Sequence, residues 1–392
     1  MTDKEIKEVT DAIKSGWITT GPRTKLLEKL IAEYCGTKRA VCLNSQTACA
    51  EMTLNLLGVG PGDEVITTAY TYTASASVVC HVGAKLVLVD AKAGGFEMDY
   101  DALADAITEK TKVIIPVDLG GIPCDYDRIF EIVNAKRSLF KAENEIQKAI
   151  GRVVVLADTA HALGASYNGK RIGSVADFSA FSFHAVKNFT TAEGGALTWR
   201  SIEGIDDEDI YKKLQLFSLH GQSKDALAKV QLGAWEYDVL GTWYKCNMTD
   251  VAAAIGLAQF ERYPAMLEKR KRIVTKYDAA FKPLGIAAPS HYTDKYESSY
   301  HLYMTRIPGI SETERNEIIT KMAEAGISCN VHYKPLPMFT AYKKLGFDIA
   351  NYPNAYDFYK NEITLPLHTL LTDDEVEYII KSYSKIVKEY LK

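Results

Sequence analysis

Five short apolar runs, separated by stretches with helical spacing, constrain this chain more than any other feature. Ala40–Leu43, Glu64–Thr67, Lys85–Val89, Val113–Val117 and Val153–Ala157 each read as a strand buried on both faces. Between them, Thr47–Leu57, Thr73–His81, Asp99–Ile107 and Tyr126–Val133 read as helices. Buried strands alternating with helices require a largely parallel sheet covered on both sides. The expected fold class is therefore α/β.

Other elements extend this frame. Ile6, Val9 and Ile13 share one face of an N-terminal helix, with Thr2 or Asp3 to cap its start and Gly16 to end it. After the Trp17–Pro22 loop, Leu26, Leu27, Leu30, Ile31 and Tyr34 trace a second helix. Asn168-Gly169 predicts a hairpin within Ala165–Ile172, because a type I′ turn needs positive φ at both central residues. The charged stretch Ala135–Ile150 predicts a solvent-facing helix. A long helix from Thr249 to about Thr275 is expected to lead into a smaller α/β domain. That part offers a strand at Tyr300–Arg306, a helix at Thr313–Ala325, a loop at Val331–Pro337 and a final helix from Asp373. The expected division is a large cofactor-binding domain at 1–255, with the N-terminal helix, and a smaller domain at 256–392.

Composition excludes several functions. The net charge is −4 over 392 residues, with both signs mixed along the chain, so no bulk positive field exists for nucleic acid or anionic lipid. No apolar run approaches the ~20 residues of a membrane span, and charged Met1–Lys14 lacks the apolar centre of a secretory signal. The seven cysteines are scattered without C-x-x-C or zinc spacing, so free thiols in a reducing cytoplasm are expected, and no metal.

In open α/β sheets, ligands settle beyond the carboxyl ends of the strands. Asn44-Ser45-Gln46-Thr47 follows the first strand and opens a helix, where backbone amides and the helix dipole can hold a phosphate. Ser and Thr also cap helices, so this signal alone is weak. Asp158 ends the Val153–Ala157 strand, where a buried carboxylate needs a partner; helix capping is the bland alternative. His161 follows, and a lone histidine is more often structural. Phe178–Asn188 then delivers Ser182, His184 and Lys187 into a loop before Glu193-Gly194-Gly195. Lys187 lies between Val186 and Phe189, a setting in which burial lowers the pKa and frees the amine as a nucleophile. A phosphate cradle, a buried carboxylate and a desolvated lysine match the needs of pyridoxal 5'-phosphate (PLP): phosphate, ring nitrogen and aldehyde respectively. Tyr72, after the Glu64–Thr67 strand, is placed to stack on the ring, with core packing as the alternative.

These residues resemble the DegT/DnrJ/EryC1/StrS sugar aminotransferases, nearly end to end. The carrying segments are Ile18–Pro22, Gly62–Thr67, Ile114–Val117, Asp158–Ala162, Phe181–Asn188 and Ala192–Gly195. The resemblance implies a fold-type I PLP-dependent transferase with a mostly parallel seven-stranded sheet flanked by helices. It implies that Lys187 anchors the cofactor, Asp158 pairs with the pyridine nitrogen and His161 stands beside the ring hydroxyl. Gln46, Thr47 and Ser182 would take the phosphate. Asn247 resembles an asparagine that reaches the phosphate of a partner subunit, which implies a homodimer. Thr19, Thr20, His332 and Tyr333 would line a sugar-nucleotide pocket. The implied reaction moves an amino group from glutamate to a nucleotide-linked 4-keto or 3-keto sugar for amino-sugar or surface polysaccharide biosynthesis.

A PLP-dependent sugar dehydratase is an alternative, disfavoured because such relatives carry histidine in place of Lys187; a non-catalytic regulator of the same fold is another. Departures from the family pattern are Asp118-Leu119-Gly120-Gly121, where His-Leu and an aromatic-glycine pair are usual, Thr159 after the carboxylate, and longer segments at Ala135–Ile150 and Asp225–Val239.

Overall fold

The computed structural model describes residues 1–223 and 236–391, so part of the second long segment lies outside the described residues. The strands are β1 (Ala40–Leu43), β2 (Glu64–Thr68), β3 (Lys85–Val89), β4 (Thr111–Ile115), β5 (Val154–Asp158), β6 (Ser166–Tyr167), β7 (Lys170–Arg171), β8 (Phe178–Ser182), β9 (Gly195–Trp199), β10 (Tyr296–Glu297), β11 (Tyr303–Arg306) and β12 (Glu362–Leu365). A seven-stranded sheet runs in the order β1-β9-β8-β5-β4-β2-β3. Only β9 opposes its neighbours; the other pairings are parallel. The sheet is mostly parallel, as the alternation predicts.

β5 shows why. Val154 and Leu156 join the apolar cluster on one face of the sheet, while Val155 and Ala157 join the cluster on the other. A strand with two dry faces must be apolar throughout, and its one charge falls at the carboxyl end, Asp158. Asn168 and Gly169 both adopt positive φ (47° and 75°) between β6 and β7, as the turn requires.

Four expectations need correction. On the first helix, Asp3–Lys14, Ile6 and Ile13 are 64% and 57% exposed, whereas Glu5 and Ala12 are buried. Glu5 is fixed there by the Thr2 capping box and by Arg262, whose Nε lies 3.2 Å from its carboxylate. The expected long helix is two, Asp250–Phe260 and Tyr263–Phe281, because Pro264 has no N–H to donate and suits only a first turn. Ala135–Ile150 is not one solvated helix. It holds the end of the Tyr126–Ala135 helix, a 3-10 turn at Arg137–Leu139 and a short helix at Glu145–Ile150, docked by buried Gln147, whose amide donates to the Leu57 carbonyl at 2.6 Å. The strand expected from Tyr300 begins at Tyr303, since Tyr300 is left-handed (φ 54°). Its antiparallel partner β12 was not expected from the sequence.

A third apolar cluster gathers Ile273, Tyr277, Tyr303, Ile318, Ile363, Ile379 and Tyr383 from the C-terminal elements. Leu302, Met304, Leu336 and Phe358 instead pack into a cluster of the main sheet, so the C-terminal elements are anchored against it.

Candidate active site

Beyond the carboxyl ends of β2, β4, β5 and β8 opens a cavity of about 350 Å³. Gln46, Thr47, Tyr72, Asp158, His161, Ser182, Lys187 and Tyr333 line it, eight of the residues singled out from sequence.

Asp158 is 5% exposed. Burial raises its pKa, opposed by hydrogen bonds from the Ser75 hydroxyl (2.6 Å) and the Ala160 N–H (3.1 Å) and by the charge of Lys187. The helix-capping alternative therefore fails: its donors are a neighbouring helix's serine and a turn amide. Lys187 is half-buried, and burial lowers its pKa from 10.5 to about 8 against the pull of Asp158. Its apolar setting is one-sided, with Phe189 buried and Val186 exposed.

His161 is held well below its usual pKa by burial and by the Lys187 charge. Its Nδ1 accepts the Gly120 N–H at 3.1 Å, so the neutral ring carries its proton on Nε2, 3.4 Å from the Tyr333 hydroxyl. Gly120 and Gly121 both have positive φ (67° and 83°), and a side chain at 121 would overlap the Ser299 hydroxyl. The glycine pair that departs from the family pattern is thus required by the close approach of residues 299–302.

At the cradle, Ser45 caps the helix Gln46–Leu56, accepting the Ala48 N–H at 3.1 Å, so capping is the correct account of that residue. Gln46 differs: it is buried, and its Nε2 has no hydrogen-bond partner. A buried donor left unpaired at a helix N-terminus is a ready anion ligand. Tyr72 is 59% exposed with its ring 5.8 Å from that of Tyr333, which removes the core-packing alternative.

Thr19, Thr20, Asn247 and His332 do not line the cavity of this protomer. Thr20 donates to the Met248 carbonyl and accepts from Asn247 Nδ2, both at 2.6 Å. Asp250 beside them receives the N–H groups of Gly21, Arg23 and Thr24, closing the start of the Pro22–Cys35 helix. His332 lies behind Tyr333, its Nδ1 2.9 Å from the Thr364 hydroxyl. Sequence reasoning missed Ser75, Asn188 and His301. Ser75 left no distinguishing trace, since Ser77 on the same short helix carries a second hydroxyl.

An unpaired buried donor, a buried carboxylate and an amine of depressed pKa fit the phosphate, ring nitrogen and aldehyde of PLP. Sheet and cavity together define the class, a PLP-dependent aminotransferase. The chain matches the DegT/DnrJ/EryC1/StrS aminotransferase family over residues 1–384 and belongs to it. It is 37% identical over 393 residues to the spore coat polysaccharide biosynthesis protein SpsC of Bacillus subtilis (strain 168), covering 98% of this chain and 95% of the relative. It is 31% identical over 396 residues to the UDP-4-amino-4-deoxy-L-arabinose–oxoglutarate aminotransferase of Shewanella sediminis (strain HAW-EB3), covering 98% and 96%. Among solved structures, it resembles the putative sugar aminotransferase Spr1654 from Streptococcus pneumoniae. The PMP form has TM-score 0.97 and 59% identity and is covered to 98%, with 100% of this chain; the PLP form has TM-score 0.96 and 57% identity, with the same coverages. The chain is a sugar aminotransferase that works with PLP.

Proposed function

We propose that this enzyme transfers the amino group of glutamate to a nucleotide-linked 4-keto or 3-keto sugar, with Lys187 as cofactor anchor and proton carrier and Asp158 as partner of the ring nitrogen. The carrying observation is one cavity lined by Lys187, Asp158 and Gln46, the last with a buried, unpaired side-chain amide. PLP, when bound, supplies an aldehyde that receives the amino group and a ring that accepts electron density from the substrate carbon.

The protein's own groups account for the rest. A lysine of pKa about 8 has a usable unprotonated fraction near neutral pH, and so can take a proton at the substrate carbon and return it. Burial raises the pKa of Asp158, while hydrogen bonds from Ser75 and the Ala160 N–H favour its charged form, the form that pairs with a cationic nitrogen. Gln46, Thr47 and Ser182 hold the phosphate. Tyr72 covers the ring, and His161 donates through Nε2. The names of SpsC and the Shewanella enzyme support a nucleotide-sugar acceptor and a role in polysaccharide or amino-sugar biosynthesis.

Apart from Lys187, no lysine or arginine lines the cavity among the described residues, while both proposed substrates are anionic. We read the active unit as a homodimer in which Asn247 and the Thr19-Thr20 joint serve the partner's site. Exposed Ile6, Ile13, Ile18, Leu26 and Tyr244 offer apolar surface for that contact. The domain division at 255/256 and a cytoplasmic location belong to the same reading. Free cysteines, and the absence among the described residues of any helix long and apolar enough to cross a membrane, support the location.

The test is a panel of 3-keto and 4-keto sugar nucleotides incubated with PLP and glutamate. Amino-sugar nucleotide is expected by mass spectrometry in equal amount to 2-oxoglutarate. Formation of a deoxygenated sugar instead, or no product with any member of the panel, overturns the reading.

A further inference from the structure

Lys187 projects from a turn that is exposed on one side: His184, Ala185 and Val186 all face solvent. The turn is fastened on its other side, at Asn188, which is buried. Asn188 Nδ2 donates to the Ser299 carbonyl at 2.7 Å, so its Oδ1 is the atom that faces His301 Nδ1 at 2.8 Å. An amide oxygen only accepts, so His301 must carry its proton on Nδ1. The His301 ring also packs against His161 with centroids 4.3 Å apart and planes 39° apart.

His301 is itself held from two directions. Its N–H donates to the Gly120 carbonyl at 3.1 Å, and its carbonyl accepts from Arg270 Nη1 at 3.3 Å. The same guanidinium nitrogen donates to the Tyr300 and Leu367 carbonyls, at 3.3 and 2.9 Å. Ser299 joins the assembly, its N–H donating to the Gly121 carbonyl and its hydroxyl to the carbonyl of His161. One buried imidazole from the C-terminal elements thus touches both walls of a cavity built on the main sheet.

We propose that His301 is a positioning residue: through Nδ1 it fixes Asn188 and with it the Lys187 turn, and through its ring face it sets the tilt of His161. Burial and the nearby charge of Lys187 keep the ring uncharged, which preserves its single-proton state. The inference rests on Lys187 as cofactor anchor, not on the identity of the sugar.

The bond runs through Nδ1, and this makes the test specific. The amide nitrogen of asparagine falls near Nδ1 of histidine, and that of glutamine near Nε2. His301→Asn is expected to keep kcat and the PLP dissociation constant of the apo-protein within about 3-fold of wild type. His301→Gln is expected to lower kcat and raise that dissociation constant by about 10-fold each, with KM for glutamate changed less than about 3-fold, the size of one lost buried hydrogen bond. Equal behaviour of the two variants, or losses that track melting temperature alone, overturn the proposal. Nitrogen-15 histidine NMR of the wild-type holoenzyme decides independently of whether either variant folds: a His301 proton on Nδ1 is expected, and one on Nε2 overturns the assignment. Lys187→Ala separates this proposal from its premise. Persistence of the wild-type visible band with PLP in that variant would sink the anchor, whereas its loss with equivalent Asn and Gln variants would sink only His301.

Discussion

Two buried carboxylates in this molecule have opposite uses. Asp158 and Glu362 are both removed from water, and burial raises the pKa of each, Glu362 from 4.5 to about 8. Glu362 is closed off: it accepts the Thr364 hydroxyl at 2.6 Å and the His332 N–H at 2.9 Å, with Arg315 nearby. It ties β12 to the loop that carries Tyr333. Asp158 receives two hydrogen bonds as well, but it borders the cavity and faces a titratable amine. Burial alone therefore does not mark a functional acid. What marks it is an open side beyond the end of a parallel strand.

Lys187→Ala should give the largest effect that sharpens this contrast. Transamination is expected to fall by about 10⁴-fold and the visible band with PLP to vanish, measured by 2-oxoglutarate release and absorbance. Asp158→Asn should follow, with kcat lower by about 10²–10³-fold. Because the charged form of Asp158 is disfavoured by burial in the apo-protein, the same change should raise the apo melting temperature by about 1–2 °C. A fall in apo stability would break the comparison, since it would show that the Asp158 charge stabilises the fold rather than serving the open site.

Ser75→Ala should cost about 10-fold in kcat, one charge-assisted hydrogen bond, and leave KM for the sugar nucleotide nearly unchanged. Glu362→Gln should have the smallest effect on turnover, within about 3-fold. Its signature is pH-dependent stability. A folded pKa of about 8 against 4.5 means that the contribution of Glu362 to stability is complete below pH 4.5 and is lost as pH rises towards 8. The Gln variant should therefore gain melting temperature relative to wild type between pH 5 and 8, where the shifted group titrates. Asp118, pushed up to about 7 by burial, has the same sign and leaves a residual slope in both proteins. An unchanged difference across that range would assign the raised pKa to another group.

Much of the site was legible because its chemistry is local in sequence. Asp158 ends one strand and Lys187 follows the end of another, in the turn five residues beyond Ser182, and strand ends on a parallel sheet converge. Periodicity also fixed the main sheet, since two dry faces leave no choice of residue. It misled at the first helix, where Ile6 and Ile13 look outward because Glu5 is held inward by Arg262, some 257 positions away.

The sequence by itself determined the α/β sheet, its helices, the hairpin turn and the residues able to hold PLP, because each depends on neighbours within a few positions. Only the tertiary structure decided that Thr20 and Asn247 bond to each other and that Ser75 supports Asp158. It also decided that Gly121 exists to admit Ser299, and that His301 stands behind Lys187. These contacts join residues between 83 and 227 positions apart, and chain spacing carries no information about such distances; only the packing of one layer against another does.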